Sequence, residues 1–174
     1  VTVVAGADAD AKAVEQVVSV LRDLPGAQVS VSRTPDASGD QVWVGTAETT
    51  PGIDGLVASL GGSKAATLPA DGYVIASGRR SGHNVIALQG KDARGTFYAV
   101  QTLRQLVRHD KVASVTVRDW PLMPIRGGIE GFYGIPWSHQ ARLDQFTFYG
   151  RHKMNTYIYT PKDDLLPVSY THLT

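Results

Sequence analysis

The sequence predicts an α+β chain: a sheet with helices packed on one side over residues 1–120, then a strand–helix–strand unit over 121–164. Three observations lead there. Short β-branched and aromatic runs recur between turn signals. Two long segments carry apolar residues at helical spacing. Composition also shifts near Pro121 and Pro124, where two prolines interrupt helix and ladder alike, away from the Ala, Val, Gly and Asp that dominate residues 1–120.

Residues 2–5 read as a strand. Residues 11–24 read as a helix with Val14, Val17, Val18 and Leu21 on one face, Asp10 as its cap and Pro25-Gly26 as its stop. Residues 28–32 and 41–45 follow as strands around the turn-rich stretch 34–40. A short, weak helix spans 52–60, a hairpin joins 72–77 to 84–89, the strongest helix runs over 92–107, and 114–118 makes a last strand. Such a set of elements folds as a two-layer α+β domain.

In the second unit, residues 127–130 form a short strand entering the cluster Gly131-Phe132-Tyr133-Gly134, where bare backbone and a phenol can meet a ligand. Ser138 caps a helix whose face is set by Leu143, Phe146 and Tyr149, with Gly150 near its end. The run 154–159 has the composition of a buried strand, and Pro161 stops it. If the two strands are parallel, residues 131–137 and 162–164 both lie past carboxyl ends, where parallel barrels build their active faces.

Five blocks carry a resemblance: Glu130-Gly131-Phe132-Tyr133-Gly134, Pro136-Trp137, Phe148-Tyr149-Gly150, Lys153-Met154-Asn155-Thr156-Tyr157 and Tyr159-Thr160-Pro161-Lys162-Asp163-Asp164. In this order they resemble the start of the catalytic domain of family 84 glycoside hydrolases, the β-N-acetylglucosaminidases that include O-GlcNAcase and bacterial hyaluronidase-type enzymes. The stretch 90–103 is similar to the domain that precedes the barrel in family 84, in family 20 hexosaminidases and in some α-glucuronidases. The resemblance implies that residues 121–164 are the first β/α/β unit of a (β/α)8 TIM barrel. It implies substrate binding by Gly131 and Lys162, with Tyr133 and Asp163 beside them.

The mechanism implied is substrate-assisted: the sugar's 2-acetamido carbonyl attacks the anomeric carbon, and two adjacent aspartates orient the acetamido group and transfer protons. Asp163 and Asp164 are adjacent, yet in the family the catalytic pair sits in a later motif, while aspartates here belong to the lysine's loop. No catalytic residue is therefore expected in this chain. A closed barrel takes about 250 residues, so the chain is expected to be a fragment, inactive by itself. Residues 165–174 match nothing in the family and read as a non-native or disordered tail.

Charged residues elsewhere have structural readings. Asp92 caps the helix that follows it, Arg94 lies in the first turn, and Arg79-Arg80 sits at a solvated hairpin tip. With 17 basic and 16 acidic residues and no basic cluster, nucleic-acid binding is not expected. No apolar run approaches the ~18 residues of a membrane span. The chain has no cysteine, and the five histidines show no metal-ligand spacing, so neither metal nor cofactor is implied.

The leading reading is a glycosidase that removes terminal β-linked N-acetylglucosamine from glycans or glycoproteins. The alternatives are another β-hexosaminidase or hyaluronidase-like hydrolase, and a non-catalytic carbohydrate-binding module. The resemblance also makes a secreted location the expectation.

Overall fold

The computed structural model describes residues 1–35, 38–109, 111–112, 114–131 and 137–160. The chain divides into two compact units, Val1–Leu122 and Met123–Thr174.

In the first unit the elements run β1 (Thr2–Val4), α1 (Ala11–Arg22), β2 (Ser30–Ser32), β3 (Gln41–Gly45), α2 (Ile53–Ser59), a 3-10 turn (Ala65–Thr67), β4 (Tyr73–Arg80), β5 (His83–Gly90), α3 (Ala93–Leu106), β6 (Val107–Arg108), β7 (Lys111–Val112) and β8 (Thr116–Asp119). Six strands form one sheet in the order β2-β1-β3-β5-β4-β8. The neighbours β2, β1, β3 and β5 pair in parallel, and β4 pairs antiparallel with β5 and β8. Between β4 and β5 the turn is only Ser81-Gly82, both at positive φ (51° and 86°), so the hairpin extends to the Arg80–His83 pair.

The expectation of helices on one side of this sheet is corrected. One face packs Val3, Val42, Val44, Ile75 and Leu88 against α1 and α3. The other packs Val4, Trp43, Val74, Ala76, Val85 and Ala87 against Ile53, Leu56 and Val57 of α2 and against Ala65 and Leu68. Successive strand residues point to opposite faces. A strand such as Val42-Trp43-Val44, with exposures of 2%, 6% and 0%, therefore needs cover on both sides. The short α2, with its single internal glycine, supplies the second layer.

The second unit contains β9 (Gly127–Glu130), α4 (His139–Arg151) and β10 (Thr156–Tyr159). The two strands pair in parallel in a register that sets Gly128 beside Tyr157 and Glu130 beside Tyr159. Ser138 caps α4, its side chain accepting from the Ala141 amide at 3.2 Å. At the opposite end of the strands, the Asn155 side chain receives the Arg126 amide at 3.0 Å and donates to the Pro124 carbonyl at 2.8 Å. The Arg126 Nε donates to the Lys153 carbonyl at 2.9 Å, so the entry to β9 and the entry to β10 are tied together.

The face that α4 turns to the strands keeps Phe146 and Tyr149 of the expected stripe and adds a residue that the stripe did not include. Phe146 meets the Tyr157 ring edge-on at a centroid distance of 4.8 Å, and Tyr149 lies 6.4 Å from it. While Leu143 and Phe146 are each 43% exposed, in the first turns Arg142 also reaches the strands. The reason is electrostatic: Glu130 points to the helix side and requires a cation.

Candidate substrate-binding site at the carboxyl ends of β9 and β10

The parallel pairing sends both strands to the same edge of the two-stranded sheet. Glu130 ends β9 and Tyr159 ends β10, so Gly131 and Thr160 leave side by side. The Thr160 amide donates to the Glu130 carbonyl at 2.9 Å, carrying the ladder one residue past the strand.

Three glycines here have different surroundings. A methyl group on Gly127 would lie 1.6 Å from the Thr156 carbonyl oxygen, and one on Gly128 would lie 2.1 Å from the Tyr149 hydroxyl. Both glycines serve close packing within the chain. At Gly131 the nearest atom to such a methyl is Thr160 Oγ1, at 3.6 Å, an ordinary contact distance. Nothing among the described residues requires a glycine there.

Below Gly131 the Glu130 carboxylate is 1% exposed and is held by Arg142. The Arg142 Nε donates to Oε2 at 2.9 Å and Oε1 at 3.2 Å, and Nη2 donates to Oε1 at 2.8 Å. Hydrogen bonding to Glu130 raises the Arg142 guanidinium above its ordinary value. The same guanidinium lies 4.9 Å from the centre of the Tyr159 ring. A carboxylate committed in this way joins three elements at one point.

Of the residues named from sequence, Gly131 stands at this edge. Tyr133, Lys162 and Asp163 lie outside the described residues, as does Asp164. Trp137, 45% exposed, precedes the α4 cap. The arginine–glutamate pair escaped sequence reading. Its signal was an ionisable residue on the helix-facing side of a strand, which calls for a buried partner.

Asp92 and Arg94 of the first unit take structural roles. Asp92 caps α3 by accepting from the Gly95 amide at 2.8 Å, and Arg94 pairs with Asp71 at 3.0 Å.

Residues 1–120 match the family model described as glycosyl hydrolase family 20, domain 2, and residues 126–169 match the one described as beta-N-acetylglucosaminidase. By the first of these matches the chain belongs to the glycosyl hydrolase family 20, domain 2 family, and it is of the hexosaminidase type.

Among solved structures, CpGH84B is 31% identical with a TM-score of 0.73 over 94% of this chain and 26% of its own. CpGH84D is 28% identical with a TM-score of 0.78 over 94% and 27%. A Streptomyces plicatus beta-hexosaminidase in complex with the product GlcNAc shares the fold, with a TM-score of 0.64 at 18% identity over 91% and 29%. Protein O-GlcNAcase of Rattus norvegicus is 47% identical over 38 residues, which are 22% of this chain and 4% of that protein. The chain thus spans about a quarter of these solved structures and a far smaller share of the curated relative.

Proposed function

We propose that β9, α4 and β10 form the opening strand–helix–strand of a (β/α)8 barrel whose enzyme removes terminal β-linked N-acetylglucosamine. The observation that carries this reading is the parallel β9–β10 edge with an unencumbered glycine at its exit, in the segment that matches the beta-N-acetylglucosaminidase model. Gly131 and Lys162 bind the sugar, the one through backbone and the other through a charge-assisted ammonium donor. Tyr133 and Asp163 contribute to binding the same sugar.

The reaction is substrate-assisted. The acetamido carbonyl oxygen bonds to the anomeric carbon as the glycosidic C–O bond breaks, and the leaving oxygen takes a proton from a general acid. Water, giving a proton back to the group that served as acid, then opens the oxazoline from the face the leaving group vacated, so configuration is retained. The acid–base pair comes from a motif outside residues 1–174, and this polypeptide alone does not turn over substrate.

The test uses the full-length gene product and an aryl β-N-acetylglucosaminide. Charge-assisted hydrogen bonds contribute about 1.5–3 kcal/mol, so Lys162→Ala is expected to lower kcat/KM roughly 10- to 150-fold. Gly131→Ala is expected to raise KM while leaving the melting temperature in place, because the chain itself has room for the methyl. Wild-type kinetics in both variants would remove the pocket from these two loops.

A further inference from the structure

We propose that Glu130 and Arg142 are a positioning pair for substrate capture: their ion pair fixes the two chain exits at Gly131 and Thr160. The proposal rests on the reading of those exits given above.

The geometry is that of a junction. Glu130 is used at both ends. Its carboxylate takes three contacts of 2.8–3.2 Å from Arg142, and its carbonyl accepts the Thr160 amide at 2.9 Å. Arg142 in turn touches both strands, through the Glu130 carboxylate on β9 and the Tyr159 ring on β10. The residue that follows Glu130 is Gly131, and the one that follows Tyr159 is Thr160, so helix, first exit and second exit are referenced to one guanidinium.

Stability alone does not account for such a pair. Replacing a buried ion pair by apolar side chains of similar volume is often neutral or stabilising, because two charges no longer have to leave water. What apolar side chains cannot supply is direction. A planar guanidinium gripping a carboxylate by two nitrogens fixes distance and angle together, which a point-charge ammonium cannot. A site that binds through backbone at Gly131 has no side-chain freedom to correct a misplaced exit, and so depends on that fixity.

The experiment compares wild type, E130L/R142M and R142K in the full-length gene product, by steady-state kinetics, thermal melting and amide exchange at Thr160. The expected result for E130L/R142M is a melting temperature close to wild type, faster Thr160 exchange, and a KM raised by at least about tenfold with kcat within about threefold. R142K, which keeps the charge and loses the bidentate grip, is expected to raise KM by a smaller factor. It carries the test should the double variant fail to fold.

Wild-type KM with faster Thr160 exchange would overturn the link to capture, and unchanged exchange in a folded variant would overturn the positioning itself. A wild-type enzyme inert toward the aryl substrate, with Thr160 exchange responding as expected, would fault the functional reading and leave the positioning pair standing.

Discussion

At the scale of single residues, the close-packed and open glycines give opposite expectations for one substitution. Gly127→Ala drives a methyl into the Thr156 carbonyl, a backbone atom that moves only with the strand. Overpacking of that kind costs about 1–3 kcal/mol, so the second unit should lose amide protection along β9 and β10 in exchange measurements. Gly131→Ala, with 3.6 Å of clearance, should leave the same amides protected. Equal protection in the two variants would contradict the different roles assigned to these glycines.

A residue-scale pH effect comes from Asp40. Its carboxylate accepts the Asn84 amide at 2.8 Å and the Asn84 side chain at 3.0 Å, joining the start of β3 to the start of β5. The Asn84 side-chain hydrogen bond is the largest cause holding Asp40 below the ordinary 3.8. The folded state then binds this proton more weakly than the unfolded state, so the contribution is present above the ordinary value and fades as pH falls through the folded one. The difference in urea midpoint between wild type and Asp40→Ala should be constant from pH 5 to 7 and shrink below about pH 4. A difference that grows on acidification would reverse the sign.

At the scale of elements, α3 depends on a cap that does two things. Asp92 Oδ1 accepts from Gly95 at the first turn, and Oδ2 accepts from the Asp71 amide at 2.8 Å. Asp71 is a non-glycine residue at φ 63°, 4% exposed, so a left-handed turn ahead of β4 is held by the next helix's cap. Asp92→Ala removes both bonds. A cap alone is worth about 0.5–2 kcal/mol, and the second amide places the expected loss at the upper end of that range or above it. Asp10→Ala, which removes only the bond to the Ala13 amide at 2.7 Å, should cost less in the same denaturation assay.

These caps also mark what was legible in the sequence. Asp10, Asp92 and Ser138 could be read as caps because a cap bonds within three residues of itself, and all three do so. The edges of β3 were legible because its apolar run ends at Gly45. The side of the sheet taken by α2 was not, since a seven-residue helix with an internal glycine states nothing about which distant strand residues it covers. Nor was the Arg142 contact, made across twelve positions and visible only once β9 and α4 are apposed. Around the candidate site the strand and helix positions were readable, and the mutual geometry of Glu130 and Arg142 was not.

At the scale of the whole molecule, the two units differ in how they bury apolar surface. Both hydrophobic clusters consist of residues from Val3 to Trp120, and they fill the two faces of the six-stranded sheet. A domain of this size can bury enough surface to fold alone. In the second unit α4 has no buried residue, and Ile129, Phe148 and Ile158 are 68%, 51% and 45% exposed. An isolated two-stranded sheet of that kind has little stability of its own. A polypeptide of residues 1–122 should therefore melt cooperatively, within a few degrees of the first transition of the 174-residue chain. Limited proteolysis of the longer chain should cut first among the exposed residues Leu122, Met123 and Ile125 and leave the 1–122 piece intact. A shorter polypeptide that melts without cooperativity, or early cleavage inside β3, β4 or β5, would mean that residues 123–174 are part of the first unit's core.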